Sequence, residues 1–112
     1  MKFMMLVCWA EGEELGPEES AAMRRDSIAW MERMDARGVR LQGNRLRPVA
    51  DARTVRVRAD DVLVVDGPFA ETKEQIAGYD LLECADLDEA VEVASEHPVA
   101  RYGAIEVRPY WD

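Results

Sequence analysis

Four ionisable side chains fall within one nine-residue connection: Asp66, Glu71, Lys73 and Glu74, in Asp66-Gly67-Pro68-Phe69-Ala70-Glu71-Thr72-Lys73-Glu74. The apolar run before it, Val62-Leu63-Val64-Val65, breaks at Asp-Gly-Pro, which is strong turn chemistry. Carboxylates so placed can act as acid or base where partial burial raises their pKa toward neutrality. Lys73 can hold an anionic substrate or keep a carboxylate ionised. Phe69 and Tyr79 can wall an apolar pocket, with the Tyr79 hydroxyl as a donor. A structural role competes at every one of these positions. Asp66 can accept hydrogen bonds from its own turn, Gly67 and Pro68 can set the backbone, and Glu71, Lys73 and Glu74 can pair at the surface or at a subunit seam.

Other catalytic signatures are lacking in the sequence. It has no Gly-rich phosphate loop, no nucleophile elbow and no His/Cys/carboxylate spacing for zinc, so neither a metal nor a cofactor is expected. The single histidine, His97, precedes Pro98 and reads as a C-terminal helix cap favoured by the dipole rather than a general base. Ser20, Ser27 and Ser95 fall on helices without a histidine in sequence reach, which argues against serine-type nucleophilic catalysis. Cys8 and Cys84 each belong to an apolar run and read as lone buried thiols.

The charge balance, 14 basic against 23 acidic residues and a net charge of −9, argues against direct nucleic-acid binding through phosphate neutralisation. One local exception is the basic run Arg45, Arg47, Arg53, Arg56 and Arg58, read as a solvated strand edge in preference to an anion-binding face. The apolar start at residues 3–9 is too short to cross a bilayer and lacks a cleavage region, so no membrane partner and a cytoplasmic location are expected. A length of 112 residues suits one domain, 1–112, with a single core.

The elements that must position the loop follow from periodicity. Residues 2–9 form a strand. Pro17 opens a helix with Glu18 and Glu19 at the positive end of its dipole. Met23, Ser27, Trp30, Met31 and Met34 mark its inward face, and Gly38 stops it. Strands follow at 39–46, 54–58, 62–65 and 76–83. Asp86-Leu87-Asp88-Glu89 has the form of a capping box for a short second helix, and residues 104–108 make the last strand. Taking the two middle strands as an inserted hairpin, the order reduces to the β-α-β-β-α-β pattern of α+β, ferredoxin-like folds.

Two helices cover one face of such a sheet, yet residues 3–9 and 62–65 are apolar at every position. Strand residues alternate between faces, so both faces of these runs need cover. Leaving about five such side chains exposed would forgo roughly 1.5–3 kcal/mol each, a sum that rivals the roughly 5–15 kcal/mol stability of a domain. A second copy, packed sheet to sheet on the open face, is the simplest cover, and a homodimer is expected.

DGPFAETKE and GYDLLE resemble the signature of the YCII-related, DGPF-domain family of small bacterial proteins. The likeness continues in the first strand, the helix ending at Gly38, Thr54-Val55-Arg56, the Asp-Leu-Asp-Glu-Ala helix start, and Ile105-Glu106-Val107-Arg108-Pro109. It implies ferredoxin-like subunits paired into a dimeric α/β barrel. Related barrels include dehalogenating and isomerising enzymes of aromatic breakdown, and members of this branch often lie beside genes for alternative sigma factors. Some YCII-type proteins resemble enzymes through a His–Asp pair with the histidine early on the first helix. Here that stretch reads Arg24-Arg25-Asp26-Ser27, with no histidine. The reading is therefore a small-molecule-binding or accessory module. The alternative is an acid–base enzyme of lyase, isomerase or dehalogenase type acting on a small organic substrate at the DGPF loop, and a purely structural dimer is the third reading.

Overall fold

The computed structural model describes residues 1–111. Strand β1 (Lys2–Trp9) is the spine of a four-stranded antiparallel sheet, with β5 (Gln75–Glu83) on one side and β6 (Ala104–Pro109) on the other. Strand β2 (Arg40–Arg45) pairs the far side of β5, so the order is β2-β5-β1-β6. With helices α1 (Pro17–Ala36) and α2 (Leu87–Ser95) as the crossovers, this is the arrangement of an α+β, ferredoxin-like subunit.

Alternation along β1 divides the sheet. Phe3, Met5 and Val7 are buried under the helices with Leu82 of β5, while Met4, Leu6 and Cys8 point to the face without helices. Trp30 and Met34 of α1 and Ala90, Val93 and Ala94 of α2 complete the core. Trp30 brings a polar atom into it, and its indole N–H donates to the Val93 carbonyl at 2.9 Å, which ties the two helices together.

The helix ends are chemically defined. Gly38 adopts φ +70° after α1, the Gly38 N–H reaches the Asp35 carbonyl, and the Val39 N–H reaches that of Met34. This is a Schellman motif, and Val39 and Met34 are both buried beside it. At α2 the Asp86 carboxylate accepts from the Glu89 N–H at 2.9 Å, and the Glu89 side chain accepts from the Ala85 N–H at 3.0 Å. Both Cys8 and Cys84 are free thiols, Cys84 buried and Cys8 half-buried.

One expectation is corrected. Residues 62–65 are not on the open face of the main sheet. They belong to β4 (Asp61–Asp66), which pairs only with β3 (Arg53–Arg58) in a separate two-stranded hairpin. The turn places Ala59 and Asp60 at φ 49° and 70°, the left-handed pair that matches strand twist in a tight hairpin. Val55, Val57, Val62 and Val64 share one side of this arm, and each is more than half exposed. The radius of gyration, 15.9 Å, exceeds the about 13 Å of a compact chain of this length. An unbroken apolar run calls for cover on both sides of a strand, and its periodicity carries no information about which sheet the strand joins. Among the described residues, no helix is long and apolar enough to cross a membrane.

Candidate functional site

The DGPF loop leaves β4 at Gly67, whose φ of +99° only glycine adopts readily. Its N–H donates to the Ala52 carbonyl at 2.9 Å and its carbonyl accepts from the Thr54 hydroxyl at 3.0 Å, so the turn is clamped to the base of the hairpin. Asp66 is exposed and pairs with Arg53 at 3.0 Å across the strands, not with its own turn. Phe69 is exposed too, with the Arg56 guanidinium 5.4 Å from its ring centroid. Glu71 and Lys73 border a depression of about 420 Å³ together with Glu11, Thr72 and Gln75. Glu74 is exposed outside it, and no ion pair joins Glu71, Lys73 and Glu74 among the described residues. The structure thus brings Glu71 and Lys73 together and leaves Asp66, Phe69 and Glu74 apart from them.

A larger cavity, about 590 Å³, opens between α1 and the sheet. That volume suits a small organic molecule. Trp9, Met23, Ile28, Trp30 and Met31 give it apolar walls, and Arg24, Ser27, Arg40, Arg45, Asp80 and His97 supply its polar groups. The sheet residues reach it by register: Gly43 lies opposite Asp80 and Arg45 opposite Gly78, all on the helical face. Tyr79 borders the cavity along its strand, but it pairs with Leu6, and alternation turns its ring to the face without helices.

Arg40 and Asp80 are the charged heart of this cavity. Arg40 Nε donates to Asp80 Oδ1 at 2.7 Å, and Arg40 Nη1 donates to Asp35 at 3.1 Å. Burial raises the Asp80 pKa above the ordinary carboxyl value, and the hydrogen bond and charge of Arg40 pull it only part of the way back. For Arg40, burial works against the charge, but the bonds to Asp80 and Asp35 outweigh it and its pKa is raised. Glycine makes room for the pair. A Cβ on Gly43 would stand 2.1 Å from Asp80 Oδ1 and 2.6 Å from the Tyr79 carbonyl oxygen.

His97 differs from its sequence reading. It does not cap the end of α2 as a cation. It opens a short 3₁₀ turn (Pro98–Arg101), where Nδ1 accepts from the Val99 N–H at 3.1 Å. Its ring meets Trp30 edge-on, with centroids 4.8 Å apart. Burial lowers its pKa to about 4, so it is neutral near pH 7. Asp26, in the helix stretch that lacks a histidine, is half-exposed and pairs with Arg25 at 3.6 Å.

Of the residues singled out from sequence, the cavity gathers Tyr79 at its rim, Ser20, Ser27, Met23, Trp30, Met31, Arg45 of the basic run and the solitary His97. Arg40, Arg45 and Asp80 were missed as a group. A signal for them exists in Gly78-Tyr79-Asp80-Leu81-Leu82, where Asp80 shares strand parity with buried Gly78 and Leu82. A carboxylate on the buried parity of a strand needs a cation, and a glycine inside each of the paired strands β2 and β5 marks a close approach.

A ferredoxin-like α+β subunit with a cationic cavity under its first helix defines the class. The YCII-related domain matches residues 1–112, and the chain belongs to that family. It is similar to uncharacterized protein R00369 of Rhizobium meliloti (strain 1021), 42% identical over 94 residues that cover 82% of this chain and 76% of that protein.

Proposed function

We propose that this YCII-related protein is a cytoplasmic small-molecule-binding module that works as a homodimer, with its ligand in the cavity between α1 and the sheet. The observation that carries this reading is the polar set inside an apolar chamber. Asp80 and His97 are buried, Arg40 is partly buried against Asp80, and all three border about 590 Å³ of open volume. Burying a charged pair in the core adds little stability over an apolar substitute, so a site that retains one is better explained by something it binds. Dimerisation uses the face carrying Met4, Leu6, Cys8 and Leu81, paired about a two-fold axis as a dimeric α/β barrel. A thermal-shift and NMR screen of the purified chain tests the reading. A ligand that raises the melting temperature and moves the amides of Gly43, Gly78 and Ser27 supports it. Ligand-induced shifts confined to the hairpin or the 66–75 loop would remove the cavity from the proposal.

A second reading keeps the loop as an acid–base site of lyase, isomerase or dehalogenase type. Glu71 would move protons there and Lys73 would hold an anionic ligand. Its support is the depression that Glu71 and Lys73 share with Glu11. Turnover of a lactone or a halogenated phenol that Glu71→Gln abolishes, with the fold intact, would establish it in place of the first.

A further inference from the structure

The cavity reverses the charge of the molecule around it. The chain carries a net charge of −9, but this cavity is bordered by three guanidinium groups, Arg24, Arg40 and Arg45, against the single carboxylate of Asp80. Asp80 already engages Arg40. Arg24 and Arg45 enter no ion pair among the described residues. Two uncommitted cations at the rim of a low-dielectric chamber attract an anion.

Two buried groups have atoms left over for a ligand. Arg40 Nε occupies Asp80 Oδ1, and no protein group donates to Oδ2 among the described residues. Among the described residues no fully buried side-chain oxygen or nitrogen lacks a partner, so Oδ2 keeps accessible surface, and Asp80 lines the open volume. The same reasoning applies to His97. Its Nδ1 accepts from the Val99 N–H, which places the ring proton on Nε2, and Nε2–H has no protein acceptor among the described residues. The chamber therefore offers one strong acceptor and one neutral donor, a pair that a hydroxyl group satisfies by donating to one and accepting from the other. The apolar part of the lining includes the aromatic rings of Trp9 and Trp30 and the side chain of Met31.

Resting on the cavity reading above, we propose that the site selects small hydroxylated aromatic monoanions. The anionic group lies against Arg24 and Arg45, and the hydroxyl lies between Asp80 Oδ2 and His97 Nε2.

The test is an NMR titration of the full chain with ortho-, meta- and para-hydroxybenzoate, and with benzoate and the matching hydroxybenzamides as controls. At least one hydroxybenzoate should move the Gly43 and Gly78 amides and bind about tenfold or more tightly than either benzoate or its own amide, the effect of one charged hydrogen bond. The double variant Arg24→Gln/Arg45→Gln changes two exposed side chains and should leave the fold intact while erasing the preference for the anion. Asp80→Asn should erase the preference for the hydroxyl. If that variant fails to fold, benzoate against hydroxybenzoate on the parent chain still decides the point. Benzoate binding as well as every hydroxybenzoate would overturn the hydroxyl assignment, and hydroxybenzamide binding as well as its acid would overturn the anion assignment. No amide moving with any probe, while other compounds from the screen still shift Gly43 and Gly78, would overturn the ligand class and leave the cavity reading standing. Probe-induced shifts only around Glu71 and Lys73 would overturn both.

Discussion

His97 shows how a single ring ties the core to pH. Its pKa falls from 6.5 in the unfolded chain to about 4 in the folded one, so neutral His97 adds stability that is complete above pH 6.5 and disappears as pH falls through about 4. The effect reaches at most about 3 kcal/mol. Asp80 has the opposite sign: its raised pKa gives a contribution complete below 3.8 and lost as pH rises through the folded value. A comparison of variants separates the two. His97→Asn retains an acceptor for the Val99 N–H and removes the titration, so it should be less stable than the parent at pH 7, with the gap in urea midpoint closing toward pH 4. A gap constant over that range would show that His97 does not titrate with folding. At Gly43, an added methyl would collide with Asp80 and with the backbone of the neighbouring strand, which cannot rotate away. Gly43→Ala should cost about 2 kcal/mol or more in urea unfolding. A variant as stable as the parent would mean that the Arg40–Asp80 pair lies elsewhere.

At the level of elements, the turns and caps were readable because each is decided within a few residues. Gly38 ends α1, Asp86 and Glu89 open α2, and Asp66-Gly67-Pro68 ends β4, all as their local chemistry dictates. Gly67 has open space around its missing side chain but a φ of +99°, so the penalty of a substitution there comes from the backbone and not from a collision. Gly67→Ala should destabilise the protein by roughly 1 kcal/mol or more. An unchanged melting temperature would show that the turn can adopt another conformation. The pairing of β4 with β3 was readable as an inserted hairpin; the place of β4 relative to the main sheet was not. Its residues demand cover, but only chain geometry decides that they form an arm with β3 instead of a fifth strand of the sheet.

At the level of the whole molecule, the open face of the sheet and the valine arm are both short of cover. The proposed dimer puts the sheet face at the two-fold axis, so Leu6→Glu should yield a folded monomer in sedimentation equilibrium at micromolar concentration. The double change Val62→Thr/Val64→Thr on the arm should leave the parent's association state unchanged. If Leu6→Glu stays dimeric and the arm variant dissociates, the arm is the interface and the sheet face is not. A parent chain that is a stable, well-folded monomer would remove the dimer altogether.

Sequence by itself determined the element order, the inward face of α1, the caps at Gly38 and Asp86, the hairpin insertion and the family. These properties depend on periodicities and short-range hydrogen bonds, whose partners lie within a few residues of each other. Only the tertiary structure decided which charges share a chamber. Asp35 and Arg40 are neighbours in the chain, but Arg40 meets Asp80 from a position forty residues away and His97 closes the same cavity from beyond α2. Their meeting is fixed by strand register, where a slip of one residue would turn Asp80 to the opposite face. The loop drew notice because its ionisable groups are adjacent in sequence. The cavity's groups become adjacent only when β2, β5 and α1 are packed together.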